Sequence, residues 1–223
     1  MATRVPQSIG EWYHCYNRGV DKRKTFLTKE NYERFLTLLF VANREESLHI
    51  SNLKQKTFQN ILSDESFLSG IPIVEIGAYC LMPNHFHIAL KEIRKGGIAL
   101  FMQKVCTGYT MYFNKMNTRT GSLFAGTYKS KHVADDRYIK HLISYILCNP
   151  AELSFPKWKT LDTSLSEVEI KLKSYKYSSL SAFLDPTVLE RKLLGESIFD
   201  LYDDSPSIGK MLLDVKNMDS YQG

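Results

Sequence analysis

Ala78-Tyr79-Cys80-Leu81-Met82-Pro83-Asn84-His85-Phe86-His87-Ile88-Ala89-Leu90 is the stretch that decides the fold. Two apolar runs flank a Pro-Asn break, the pattern of two strands joined by a tight turn. In the first run Val74, Ile76, Ala78, Cys80 and Met82 alternate with Glu75, Gly77, Tyr79 and Leu81, so the two sets are expected on opposite faces. In the second run His85 and His87 share a face opposite to Phe86, with Cα atoms roughly 6.5–7 Å apart. Two imidazoles that close can share a metal ion while Phe86 and Ile88 pack into the core behind them.

Working outward, Gly10 to Val20 is aromatic-rich and reads as a first strand. Thr28 then precedes a segment with Tyr32, Phe35, Leu36, Leu39 and Phe40 at helical spacing, with Thr28 as the expected N-cap. Arg44 to Gly70 has no sustained period and reads as a helix with loops or an insertion. After Gly96-Gly97 a helix is expected to run to about Asn117. Leu123 to Val133 is a short strand or extended loop. Asp135 caps a further helix to about Cys148, with an apolar stripe of Ile139, Leu142, Ile143 and Ile146. Tyr138, His141, Tyr145 and Asn149 flank that stripe. Tyr145 and Asn149 are four residues apart and can point at one place. A short helix is expected near Val168 to Leu172, and two or three small helices from Pro186 onward.

Composition narrows the function classes. The 223 residues are 43% apolar and 24% charged, ordinary for a globular chain. No apolar run approaches the length of a membrane span, and the first residues lack a signal-peptide core, so a cytoplasmic protein with no membrane partner is expected. Cys15, Cys80, Cys106 and Cys148 form no C-x-x-C pair and read as free thiols. The net charge of +5 is uneven. Arg94 to Lys140 holds nine bases and two acids, a net +7, whereas Pro186 to Gly223 holds seven acids and four bases, a net −3. A basic, aromatic middle points to nucleic acid. Arg18, Lys104, Arg119, Lys129 and Lys131 are the candidate phosphate contacts, and Tyr128 and Phe124 are candidates to stack on bases.

These residues suit phosphodiester chemistry. Cleavage needs an in-line nucleophile and neutralisation of the non-bridging oxygens. A divalent cation on neutral imidazoles and an oxygen donor leaves positions open for the phosphate, and Asn149 can supply that oxygen. Mg²⁺ or Mn²⁺ suits the set. A carboxylate from Glu75 or Glu92 is the rival third ligand, and Glu92 lies an odd number of positions from His87, so it should face away. Tyr109 and Tyr112 read as core; His14 and His141 could reach the edge of the site but read first as structural histidines.

Taken in order, Tyr13-His14-x-Tyr16-Asn17-Arg18-Gly19, Met82-Pro83-Asn84-His85-Phe86-His87, Tyr109-Thr110-x-Tyr112-Phe113-Asn114, Gly126-x-Tyr128-Lys129-Ser130 and Tyr145-Ile146-x-x-Asn149-Pro150 resemble the HUH single-tyrosine transposases, in particular the REP-associated tyrosine transposases. The resemblance covers about residues 10 to 185. It implies an α+β fold, a ferredoxin- or RRM-like antiparallel sheet with helices packed on it. The catalytic domain would span residues 1–155, with a mostly helical C-terminal extension over 156–223. It implies that His85 and His87 hold the metal, that Asn149 is the amide ligand, and that Tyr145 is the nucleophile; Tyr138, two turns earlier on the same flank, is the second choice by its position. It further implies cleavage and rejoining of single-stranded or hairpin DNA through a 5′-phosphotyrosine, by a monomer or homodimer. A relative that binds DNA hairpins without cutting is the alternative.

Overall fold

The structure is a computed structural model that describes residues 7–45, 57–67, 70–160 and 163–218. Part of the unreadable segment after Arg44, residues 46–56 and 68–69, lies outside the described residues.

Four strands, β1 (Trp12–Arg18), β2 (Val74–Met82), β3 (His85–Glu92) and β4 (Lys129–Val133), form one antiparallel sheet in the order β2-β3-β1-β4. Met82 pairs with His85, so Pro83-Asn84 is a two-residue hairpin loop. The loop is clamped from outside. Thr25 N–H donates to the Pro83 carbonyl at 2.8 Å, and Gly19 N–H to the Asn84 carbonyl at 2.8 Å. Gly19 is needed for close approach: a Cβ there would lie 2.3 Å from the Arg23 carbonyl oxygen. The observed first strand is shorter than Gly10–Val20; the segment from Leu123 touches the end of β1 through Ala125 N–H to the Arg18 carbonyl at 2.8 Å and becomes a regular strand from Lys129.

One expectation is overturned within β2. Its register shifts between Ile76 and Ala78, so Gly77 is an extra residue in the strand. Val74 and Ile76 therefore share a face with Tyr79 and Leu81. Ala78, Cys80 and Met82 lie on the histidine face instead. The extra residue is one without a side chain: a Cβ on Gly77 would sit 2.8 Å from the Trp12 ring.

The Phe86–Ile88 face carries α1 (Lys29–Val41) and α3 (Gly97–Met116), with Phe35 meeting the Phe86 ring at 5.1 Å. Thr28 stands at the N-cap of α1, although its hydroxyl makes no cap bond. Tyr109 is fully buried here and donates to the Thr25 carbonyl at 2.6 Å, a core residue as its position on α3 predicts. Glu92 is also fully buried, and its carboxylate accepts from Gly96 N–H at 2.6 Å and Ile98 N–H at 2.8 Å. It therefore caps α3, where an anion is favoured. Between these helices, α2 (Phe58–Ser63) is a short helix capped by Thr57.

The histidine face is covered by α4 (Asp136–Cys148). Asp135 caps it as expected, accepting from Tyr138 N–H at 2.8 Å, and Ile139, Leu142, Ile143 and Ile146 are its buried stripe. After α5 (Ala151–Ser154) and α6 (Leu165–Ser174), residues 177–179 run along the outer edge of β2. Leu81 N–H donates to Tyr177 O, and Ser179 N–H to Tyr79 O, each at 2.9 Å. The chain thus covers an edge that would otherwise expose a ladder of unpaired groups. A short α7 (Leu180–Leu184) and two 3-10 turns, Leu189–Leu193 and Glu196–Leu201, lead to α8 (Ile208–Met218), which packs on α4. No disulfide links the four cysteines. Among the described residues no helix is long and apolar enough to cross a membrane.

Candidate active site

Strand register builds one face of the site. On β1, His14, Tyr16 and Arg18 share a face; opposite them on β3 are Ala89, His87 and His85. On the other side of β1, Lys131 pairs with His14 and Lys129 with Tyr16. A row of imidazoles thus lies beside two lysines and an arginine on one surface of the sheet.

His85 and His87 are each held at Nδ1. Asn84 Nδ2 donates to the Lys22 carbonyl at 3.2 Å, which turns its Oδ1 toward His85 Nδ1 at 2.6 Å. That oxygen only accepts, so His85 carries its proton on Nδ1 and presents a bare Nε2. His87 Nδ1 lies 2.8 Å from His14 Nε2. The rings of His85 and His87 are 5.0 Å apart and nearly perpendicular. Burial lowers the basicity of all three. His87 falls well below the usual imidazole range, through desolvation and then through His14 and His85. His14 falls to about 4, through desolvation and then Lys131. His85 is lowered by desolvation, partly opposed by a weak hydrogen-bonding contact with the Asn149 side chain that falls short of ordinary hydrogen-bond geometry. The sheet therefore offers neutral imidazoles, the form that binds metal.

Helix α4 brings the remaining groups. Tyr145 meets His87 edge to face at 5.4 Å and His14 at 6.0 Å. One turn on, Asn149 is 5% exposed, and its Oδ1 is buried without a hydrogen-bond donor. A buried amide oxygen beside an imidazole nitrogen is what a cation would satisfy, so the residues fit a divalent metal ion. The rival carboxylates are engaged elsewhere: Glu92 caps α3, and Glu75 accepts from Ser197 Oγ opposite Lys91. Among the described residues no three His, Cys, Asp or Glu side chains are grouped to hold a metal ion.

Two clefts meet at His87. The first, about 370 Å³, is lined by His14, His87, Tyr138, His141, Tyr145 and Lys159, with Lys131 and Val215 at its walls. The second, about 410 Å³, contains Arg18, Lys129, Tyr16 and both His85 and His87. Of the candidate phosphate contacts, Arg18, Lys129 and Lys131 therefore stand at the site. Lys104 does not; its Nζ donates to the Arg44 and Glu45 carbonyls at 2.7 and 3.3 Å. Arg119 is held by Asn114 Oδ1 and the Ser122 carbonyl, at 2.7 and 3.1 Å, and fixes a turn. Tyr128 and Phe124 are buried, and line a separate uncharged groove against α3. Sequence reasoning missed Lys159, from the weakly patterned segment after Pro150, and it preferred a structural role for His14 and His141 over the place at the site edge that both occupy.

Comparison with known proteins bears on the family and the fold. No curated protein matches this chain. Among solved structures, that of a REP-associated tyrosine transposase bound to a REP hairpin has the same fold, with 12% identity, a TM-score of 0.53 and 93% of each chain covered. The family described as "Transposase IS200 like" matches residues 13–149, from the second residue of β1 to the last residue of the Tyr145–Asn149 pair. The sheet face, its histidines and the helix that brings Tyr145 onto them all fall within that match, and the chain belongs to the IS200-like transposase family.

Proposed function

We propose that this protein is a metal-dependent tyrosine transposase that cleaves and rejoins single-stranded or hairpin DNA through a 5′-phosphotyrosine. The observation that carries this reading is Tyr145 standing against His87 where two basic clefts join, with the buried Asn149 side chain one turn on beside His85. Arg18, Lys129 and Lys131 would seat the phosphodiester backbone. The Tyr145 phenol oxygen attacks phosphorus, the P–O3′ bond breaks, the phenol loses its proton and the departing 3′-oxygen gains one. The new ester keeps the energy of the phosphodiester, so a 3′-hydroxyl of another strand can reverse the step. His85 and His87, through Nε2, and Asn149, through Oδ1, would hold Mg²⁺ or Mn²⁺, which when bound supplies positive charge for the non-bridging oxygens. The core residues of α4 fix the tyrosine in line, an orientation effect.

Hairpin DNA is the first substrate to test, since the solved neighbour binds one. The protein is mixed with hairpin DNA labelled at either end, in Mn²⁺ or EDTA, and run on a denaturing protein gel. A Mn²⁺-dependent protein band carrying the 3′-side label is expected. A hairpin panel that is shifted on native gels yet yields no such band would replace this reading with a DNA-binding relative that does not cut.

A further inference from the structure

We infer that His14 is a positioning residue that fixes the ring and tautomer of His87 for metal binding; the inference rests on the metal-site reading above. On the sheet His14 is directly opposite Ala89, two residues from His87, so the two histidines are diagonal neighbours. The small Ala89 leaves the His14 ring room to lean along the strand. The rings lie 5.0 Å apart at 28°, and Tyr16 flanks both at 4.8 and 5.8 Å. Their nitrogens, His14 Nε2 and His87 Nδ1, are 2.8 Å apart.

A contact between two ring nitrogens at that distance holds one proton. His87 can present a lone pair from Nε2 only if its proton sits on Nδ1, and that proton is then donated to His14 Nε2. Metal-binding histidines commonly make this second bond to a carboxylate or a backbone carbonyl. Here the carbonyls of β3 are engaged with β1 and β2 on either side. A carboxylate would place a negative charge in a cleft that must admit a phosphodiester. A neutral imidazole fixes the tautomer without that repulsion.

The test compares full-length wild type with His14→Gln, His14→Leu and His14→Asn, titrating Mn²⁺ and following the free ion by electron paramagnetic resonance. Melting curves in EDTA serve as the folding control. Glutamine can place Oε1 where the imidazole Nε2 accepts, so His14→Gln should bind Mn²⁺ within about 3-fold of wild type. His14→Leu, and the polar but shorter His14→Asn, should bind roughly 10- to 100-fold more weakly. Wild-type affinity in either of those two variants, with binding lost in His87→Ala, would overturn the role of His14 and leave the metal site standing. A wild type that does not bind Mn²⁺, or a His87→Ala protein that still does, would overturn the metal reading and this inference with it.

Discussion

Replacing Asn149 with leucine should stabilise the metal-free protein and remove its response to metal. The Asn149 side chain is 5% exposed, and its Oδ1 has no donor. A buried carbonyl left unpaired costs about 1–3 kcal/mol. Leucine has the same number of side-chain heavy atoms, so the change opens no cavity. At the helical dihedrals of Asn149, φ −53° and ψ −38°, leucine is also favoured by a few tenths of a kcal/mol. A net gain of about 1–2 kcal/mol in EDTA corresponds, for a chain of this size, to roughly 3–6 °C in Tm. With Mn²⁺ at 100 times its Kd, wild type should gain about 2.7 kcal/mol, or roughly 5–10 °C, and the variant little of it. The melting order of the two proteins therefore inverts between EDTA and Mn²⁺, which circular dichroism can follow. A leucine variant that melts below wild type in EDTA and keeps the full Mn²⁺ shift would refute the assignment of Asn149 as a ligand.

Tyr145→Phe removes one oxygen from the cleft, and should keep the native-gel shift of a hairpin while abolishing the covalent protein–DNA band. An adduct persisting in that variant would move the nucleophile to another hydroxyl, with Tyr138 in the same cleft the first to test. Lys131→Ala should lower the slope of log K against log salt by about 1, measured by fluorescence anisotropy. Lys104→Ala should leave that slope unchanged, because its ammonium is bonded to two carbonyls away from the clefts. Glu92→Ala strands two N–H groups at the start of α3 and should cost about 3–5 kcal/mol in urea unfolding; a loss below 1 kcal/mol would show that water replaces the carboxylate. Gly77→Val drives a Cβ toward the Trp12 ring and should cost about 1–3 kcal/mol in the same assay, with wild-type stability showing that the ring yields freely.

The elements most legible in the sequence are those governed by short-range rules. The Pro83-Asn84 loop, the shared face of His85 and His87, the Asp135 cap and the stripe of α4 each follow from spacing within a dozen residues. The pleat of a strand and the pitch of a helix make such spacing sufficient. The opposite orientation of Glu92 follows from the same parity, although its use as a cap for α3 does not. Where a single residue interrupts the period, the rule fails. Gly77 shifts the faces of β2, and it sits against the Trp12 ring of a strand far away in the chain, where a side chain has no room.

By itself the sequence determined the local geometry of this protein: a hairpin presenting two imidazoles on one face, and a helix carrying Tyr145 and Asn149 on one flank. It also determined the basic charge of the middle of the chain. Only the tertiary structure decided which distant groups stand beside them. It set His14 against His87, left the Asn149 oxygen buried without a donor, brought Lys159 and Val215 into the tyrosine cleft, and turned Lys104 away. The physical reason is that a side chain's direction is fixed by its own backbone, whereas its neighbours across a sheet or between packed helices are fixed by register and packing among segments tens of residues apart.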